Sequence, residues 1–311
     1  MRVTFNSIPD SMVSQLSVLT SRLSRLQTQA STGQRLQLPE DDPAAMRRVL
    51  AFQGDAGTLT QYQANIGRVR DQATVAYNSV NSLTKISDRV NEIATLADGT
   101  KSPQELNTYA IEVGQLIQQA VQIANTQFQG SYLFAGTQSD QAPFAATVDS
   151  NGNVTGVAYQ GNTSVPQFEI ATGVTVSPVP VGANATGTGP RGLITDSRTG
   201  ADLFAHMISL QNHLQAGDTA GIGATDRPAL AADEDNLIYL AASNGAIQSH
   251  LDVADSVAGQ QLDSLDSMIS READADIAET LTRLSQTETA YRAALQGGST
   301  LLNLSLLDYL T

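Results

Sequence analysis

Apolar residues recur every three or four positions through both ends of this chain, and the repeat breaks down in the middle. Ile8, Met12, Leu16, Leu19, Leu23, Leu26 and Ala30 paint one stripe along a helix, which Ser7 or Asp10 can cap and Gly33 can stop. A second helical signal begins at Asp42-Pro43, with Met46, Val49 and Leu50 as its apolar face. From Leu59 to Ala97 the spacing is close to a heptad, and a helix of that length reaches about 55 to 60 Å. Asp98-Gly99 interrupts it. Ser102-Pro103-Gln104-Glu105 then restarts helix with a cap, an N1 proline and a capping-box glutamate, and Leu106, Val113, Ile117, Ala120 and Ala124 continue the stripe. Two helices joined by so short a turn are expected to pack antiparallel.

After Gln129, glycine and proline punctuate short runs of Val, Thr, Phe and Tyr. The segments on either side of Asn151-Gly152 read as a hairpin, and GANATGTGPRG, ending at Gly192, reads as a flexible stretch. Helical periodicity returns with Leu203, Met207, Leu210 and Leu214 and runs through Leu237 to Ile269. The last stripe is Ile277, Leu281, Leu284, Tyr291, Leu295, Leu302, Leu306 and Leu307, with Glu279 to Arg283 and Glu288 to Arg292 as i,i+4 pairs on its outer face. The expected fold is mainly α: a long antiparallel helical rod or coiled-coil bundle built from the N- and C-terminal halves, with a small inserted β-rich domain. The boundaries read as a terminal helical domain of residues 1–42 and 272–311, a rod of 43–130 and 196–271, and an insert of 131–195.

Composition narrows the function. With no cysteine and no tryptophan, disulfides, thiolate metal sites and cysteine nucleophiles are excluded. A formal net charge of -14, with no basic stripe to offset it, disfavours nucleic acid and anionic membrane surfaces. The N-terminal segment has no apolar run of the kind a cleaved signal needs, and no stretch approaches the roughly 20 apolar residues of a membrane span. Export, if it occurs, is expected to take another route.

Candidate chemistry is sparse. Gly187 to Gly192 matches G-x-G-x-x-G, but no Val/Ile-rich strand of a βαβ unit precedes it and Pro190 removes a donor. Asp149, Asn151 and Asn153 lack the glycine position and closing glutamate of a calcium loop, so a hairpin turn explains them better. Asp274, Asp276 and Glu279 read as first-turn charges that complement a helix dipole. His206, His213 and His250 have no second ligand at i+4 and read as solvated helix positions. No catalytic, cofactor or metal residues are assigned. The candidate site is an assembly interface of Met12, Leu16, Leu19, Leu23, Leu26, Ile277, Leu281, Leu284, Tyr291, Leu295, Leu302, Leu306 and Leu307, although the same stripes could be the core of one compact bundle.

LSRLQTQASTGQRLQLPEDDPAA (Leu23 to Ala45), EADADIAETLTRLSQTETAYRAAL (Glu272 to Leu295) and the terminal SLLDYL resemble the bacterial flagellin superfamily. Within it, FQGSYLFAGTQSDQAPF (Phe128 to Phe144) resembles the flagellar hook-associated protein 3 family, the hook-filament junction proteins. The resemblance implies a non-enzymatic, tube-forming flagellar subunit, placed extracellularly between hook-associated protein 1 and flagellin and in contact with further copies of itself. It also implies passage through the flagellar type III export apparatus without a cleaved signal, and an export chaperone for the C-terminal segment. A short flagellin is the alternative within the superfamily; a surface binding module or hydrolase is the alternative outside it. One isolated terminal helix buries too little to offset its ordering entropy, so residues from about 1 to 42 and 272 to 311 are expected to be disordered in the free monomer and to fold on assembly.

Overall fold

The computed structural model describes the backbone of residues 7–150 and 152–310, and the side chains of 10–150 and 152–300. Seven α-helices and nine short strands follow one another in the expected order of helix, strand, helix among these residues. Helix α1 is Ser7–Thr32, and Gly33 ends it with φ +72, its N–H returning to the Gln29 carbonyl at 2.9 Å. Helix α2 is Pro43–Leu96, a single run of 54 residues that joins the two expected helical segments and spans about 81 Å. Asp42 starts it by accepting the N–H groups of Ala44 and Ala45. Helix α3 is Pro103–Ala124, and its Ser102–Glu105 capping box is complete.

By Cα proximity the chain forms two compact units, one of the residues up to Thr58 with those from Gln261 onward, the other of Leu59–Gln260. In the second unit, α2 and α3 run antiparallel as expected. Arg89 of α2 grips Glu112 of α3 at 2.6 Å, while earlier Ser79 reaches the later Thr126. Strands β1 (Gln127–Phe128) and β2 (Ser131–Tyr132) follow, then the hairpin of β3 (Phe144–Val148) and β4 (Val154–Tyr159), whose register shifts between Thr147 and Val148. Strands β5 (Phe168–Ala171) and β6 (Val174–Val176) form another antiparallel pair.

Strand β7 (Val181–Asn184) lies parallel to β8 (Gly192–Asp196), which pairs antiparallel with β9 (Ala201–Asp202). Parallel neighbours ordinarily need a long crossover. Here the connection is the glycine-rich stretch read from the sequence as flexible, and the structure corrects that reading. Buried Asn184 donates to the carbonyls of Thr188 and Pro190, and fully buried Asp196 holds Gly192 N–H and Arg198. A strand, not a helix, follows Gly192, so the G-x-G-x-x-G match has no helix N-terminus to offer a phosphate.

Helix α4 (Leu203–Ala216) is capped by Asp202 and ends at left-handed Gly217. The short α5 (Thr219–Gly221) and a π-helical turn (Ile222–Asp226) lead into α6 (Arg227–Ala273). The core of this unit packs α2, α3, α4 and α6 around Phe134, Phe144, Leu193, Met207 and Leu210. Phe144 bridges strands and helices, edge-on to Phe204 at 5.5 Å and tilted to Tyr159 at 5.2 Å.

Candidate assembly surface

The first unit is built from α1, the loop after it, the start of α2, the end of α6, and α7 (Ile277–Leu310). A small core of Leu36, Ala45 and Val49 packs with Met46, Ile269 and Ala273. Polar contacts tie the loop down. Arg35 N–H donates to the Ala273 carbonyl at 2.7 Å, Gln34 bridges to Asp274, and Arg48 grips Glu272 with two bonds of 2.9 Å. The Leu38 and Gln37 N–H groups, with Arg25 beside them, hold the Asp41 carboxyl below the usual carboxylate range. The Ala45 N–H does the same for Asp42, and Arg48 for Glu272. Asp41 and Asp42 thus work as a helix-start device whose two carboxylates are held in the charged form.

Helices α1 and α7 pack antiparallel. Gly298 lies under Met12, so close that a Cβ there would stand 3.2 Å from the Met12 sulfur, and Leu26 lies beside Thr280 at the other end of the pair. On α1 the seam is Met12, Leu16, Leu19 and Leu23, all half-buried, and Leu26, buried. On α7 the seam is Thr280, Leu284, Thr287, Tyr291, Ala294 and Gly298, spaced four and three in alternation, with Glu288 also partly shielded beside it.

The candidate residues therefore divide. Leu284 and Tyr291 belong to the shielded face with the α1 stripe, while Ile277, Leu281 and Leu295 are 41%, 51% and 46% exposed. Leu302, Leu306 and Leu307 lie outside the described side chains. Thr280, Thr287, Ala294 and Gly298 are seam residues that hydrophobicity alone does not find. The signal was the heptad running through Leu284 and Tyr291, which passes over small and polar residues. Val13 and Val18, 67% and 65% exposed, add apolar surface on α1.

Among the described residues no group of three or more His, Asp or Glu side chains gathers as a metal site, and no helix is long and apolar enough to cross a membrane. A cleft of about 570 Å³ between α1 and α7 is walled by Arg22, Arg25, Arg35 and Arg283, facing Asp276 and Glu279. Two of its arginines are ion-paired, Arg25 to Asp41 and Arg283 to Glu279. Two histidines depart from the sequence reading: His206 and His213 are not simply solvated, because each ring contacts a buried aspartate.

Residues 4–139 match the family described as the bacterial flagellin N-terminal helical region. Flagellar hook-associated protein 3 of Escherichia coli K12 is 27% identical over 119 residues, 38% of this chain and 38% of that one. Its counterpart in Salmonella typhimurium LT2 is 24% identical over 169 residues, 54% of this chain and 51% of that one. The matches thus span about half, or less, of the length of these curated relatives. The solved hook-associated protein 3 of Legionella pneumophila shares the fold, with a TM-score of 0.60 over 72% of this chain and 98% of that one, at 13% identity. In sequence and in fold, this chain is similar to flagellar hook-associated protein 3 and, through residues 4–139, to the N-terminal helical region of bacterial flagellins.

Proposed function

We propose that this chain is a non-enzymatic structural subunit of the bacterial flagellum, the adaptor at the hook-filament junction between hook-associated protein 1 and flagellin. The observation that carries the reading is the one-sided closure of the α1–α7 pair. One face of each helix is used within the chain, while Val13, Val18, Ile277, Leu281 and Leu295 remain exposed at the flank. A helix pair with apolar residues left over on its outer side is suited to pack against further copies. Such contacts join one surface to a different one on the next copy, so they propagate along a helical lattice. The names of the two curated relatives support a structural role in the flagellum.

On this reading residues 1–42 and 272–311 form the assembly domain. The subunit reaches its place outside the cell through the flagellar type III apparatus, with a chaperone on its C-terminal segment. The match to a flagellin region supports one alternative, a short flagellin. Deletion of the gene distinguishes the two. Loss of a junction subunit leaves flagellin synthesised and leaking unassembled into the medium, whereas loss of a flagellin removes the filament and leaves the hook cap in place.

A further inference from the structure

Helix α4 and the segment after it form an antiparallel pair held in register by two polar rungs. His206 Nδ1 lies 2.8 Å from Asp233 Oδ2, and His213 Nδ1 lies 2.7 Å from Asp226 Oδ2. The histidines are seven residues apart on α4, the aspartates are seven apart across the π-turn and α6, and the pairs cross as an antiparallel register requires. Both carboxylates are only 1% exposed. Their remaining oxygens are engaged as well: Ser209 Oγ donates to Asp226 Oδ1 at 2.7 Å, and the Asp202 N–H to Asp233 Oδ1 at 2.8 Å. Asp226 is the last residue of the π-helical turn, whose Ile222 is fully buried.

A buried carboxylate is costly unless a cation or several donors face it, and of the described groups that touch Asp233 the His206 imidazole is the one that can carry positive charge. The surroundings do not replace it. Asp202 and Asp226 add negative charge near His206, and the Asp218 carboxylate lies with the His213 ring edge beside Gly221. Helix α3 meets α4 through Gln211 and the Ala110 carbonyl, and its Glu105 and Glu112 are engaged by Ser102 and Arg89. Strand β4 offers Thr155, Gly156 and Val157, Glu234 bonds Asn91, and Arg227 and Asp235 are exposed. The chain has three histidines and no cysteine, and His250 is exposed.

We propose that the His206–Asp233 rung is a pH-responsive clasp that fastens α4 to α6 while the imidazole is protonated and loosens as it loses its proton, with the His213–Asp226 pair keeping the register beside it. The bond to Asp233 holds His206 above its ordinary value, and burial pushes Asp233 up. Both directions mean that the folded state binds more protons than the unfolded one. The clasp's stabilisation is therefore complete below the unfolded histidine value, about 6.5, and declines as pH rises through the folded one.

The test is hydrogen exchange of the full chain at pH 6 and pH 9, corrected for the intrinsic pH dependence of exchange. Protection across α4 and the facing turns of α6 is expected to fall from pH 6 to pH 9, and the His206→Gln/His213→Gln double variant is expected to lose that drop. Equal protection of the wild type at both pH values, or an undiminished drop in the double variant, overturns the proposal. Should the double variant not fold, NMR titration of the wild-type rings decides. His206 titrating above exposed His250 supports the clasp, and His206 titrating at or below it overturns it.

Discussion

The two units differ in how completely they bury what they have. Among the described residues, the largest fully buried side chains, among them Ile66, Phe134, Met207, Leu210 and Leu214, all belong to Leu59–Gln260. In the terminal unit the bulkiest core residues, Leu26 and Leu36, keep 7% and 6% exposure, and four of the six α7 seam residues are threonine, alanine or glycine. At about 25 cal/mol per Å² of apolar area removed from water, small and half-exposed contacts recover little of the ordering entropy of two long helices. The lesson is that similar helical periodicity serves two ends, a self-sufficient core in one unit and an unfinished surface in the other.

The largest expected effect is in amide exchange of the dilute monomer, where α1 and α7 should be at least about a thousandfold less protected than the centre of α2, a gap of about 4 kcal/mol in local opening. Strong protection of both termini in the monomer would contradict the folding-on-assembly reading. Next, Leu210→Ala should cost about 3 kcal/mol in urea unfolding of the second unit, because it empties a fully buried site. Leu284→Asp should leave urea unfolding of the second unit unchanged and cost on the order of 2 kcal/mol in the terminal unit once assembly has ordered it, because the seam position is half-buried. The rod should still fold and be secreted but not be incorporated; normal motility with intact filaments would count against it. Smallest for stability is Leu281→Asp, expected within about 0.5 kcal/mol of the parent because the side chain is 51% exposed. It should nonetheless block incorporation, and normal assembly of that variant would remove Leu281 from the interface.

Much of this was legible in the chain. The Gly33 stop, the Asp42-Pro43 start, the Ser102 capping box and the hairpin around Asn151-Gly152 each rest on local chemistry that tertiary packing does not override. Non-local pairing was harder to read. His206 and His213 looked solvated because their partners, Asp233 and Asp226, become neighbours only when α4 folds back along the next helix. A matched seven-residue spacing of histidines and aspartates was the available clue. Asn184 and Asp196 were missed similarly, since a glycine-rich run reads as mobile until a buried side chain pins its carbonyls. On α7 the leucines drew attention to two faces at once, whereas the shielded one is set by geometry that tolerates Thr287 and Gly298.

Because Met12 rests on Gly298, the first helix and the last belong together although nearly the whole polypeptide separates them. The closure entropy of so long a loop must be met before that contact returns anything, which puts it among the slowest steps a chain of this length can take. On a ribosome α1 therefore emerges well before α7 is made and waits for its mate.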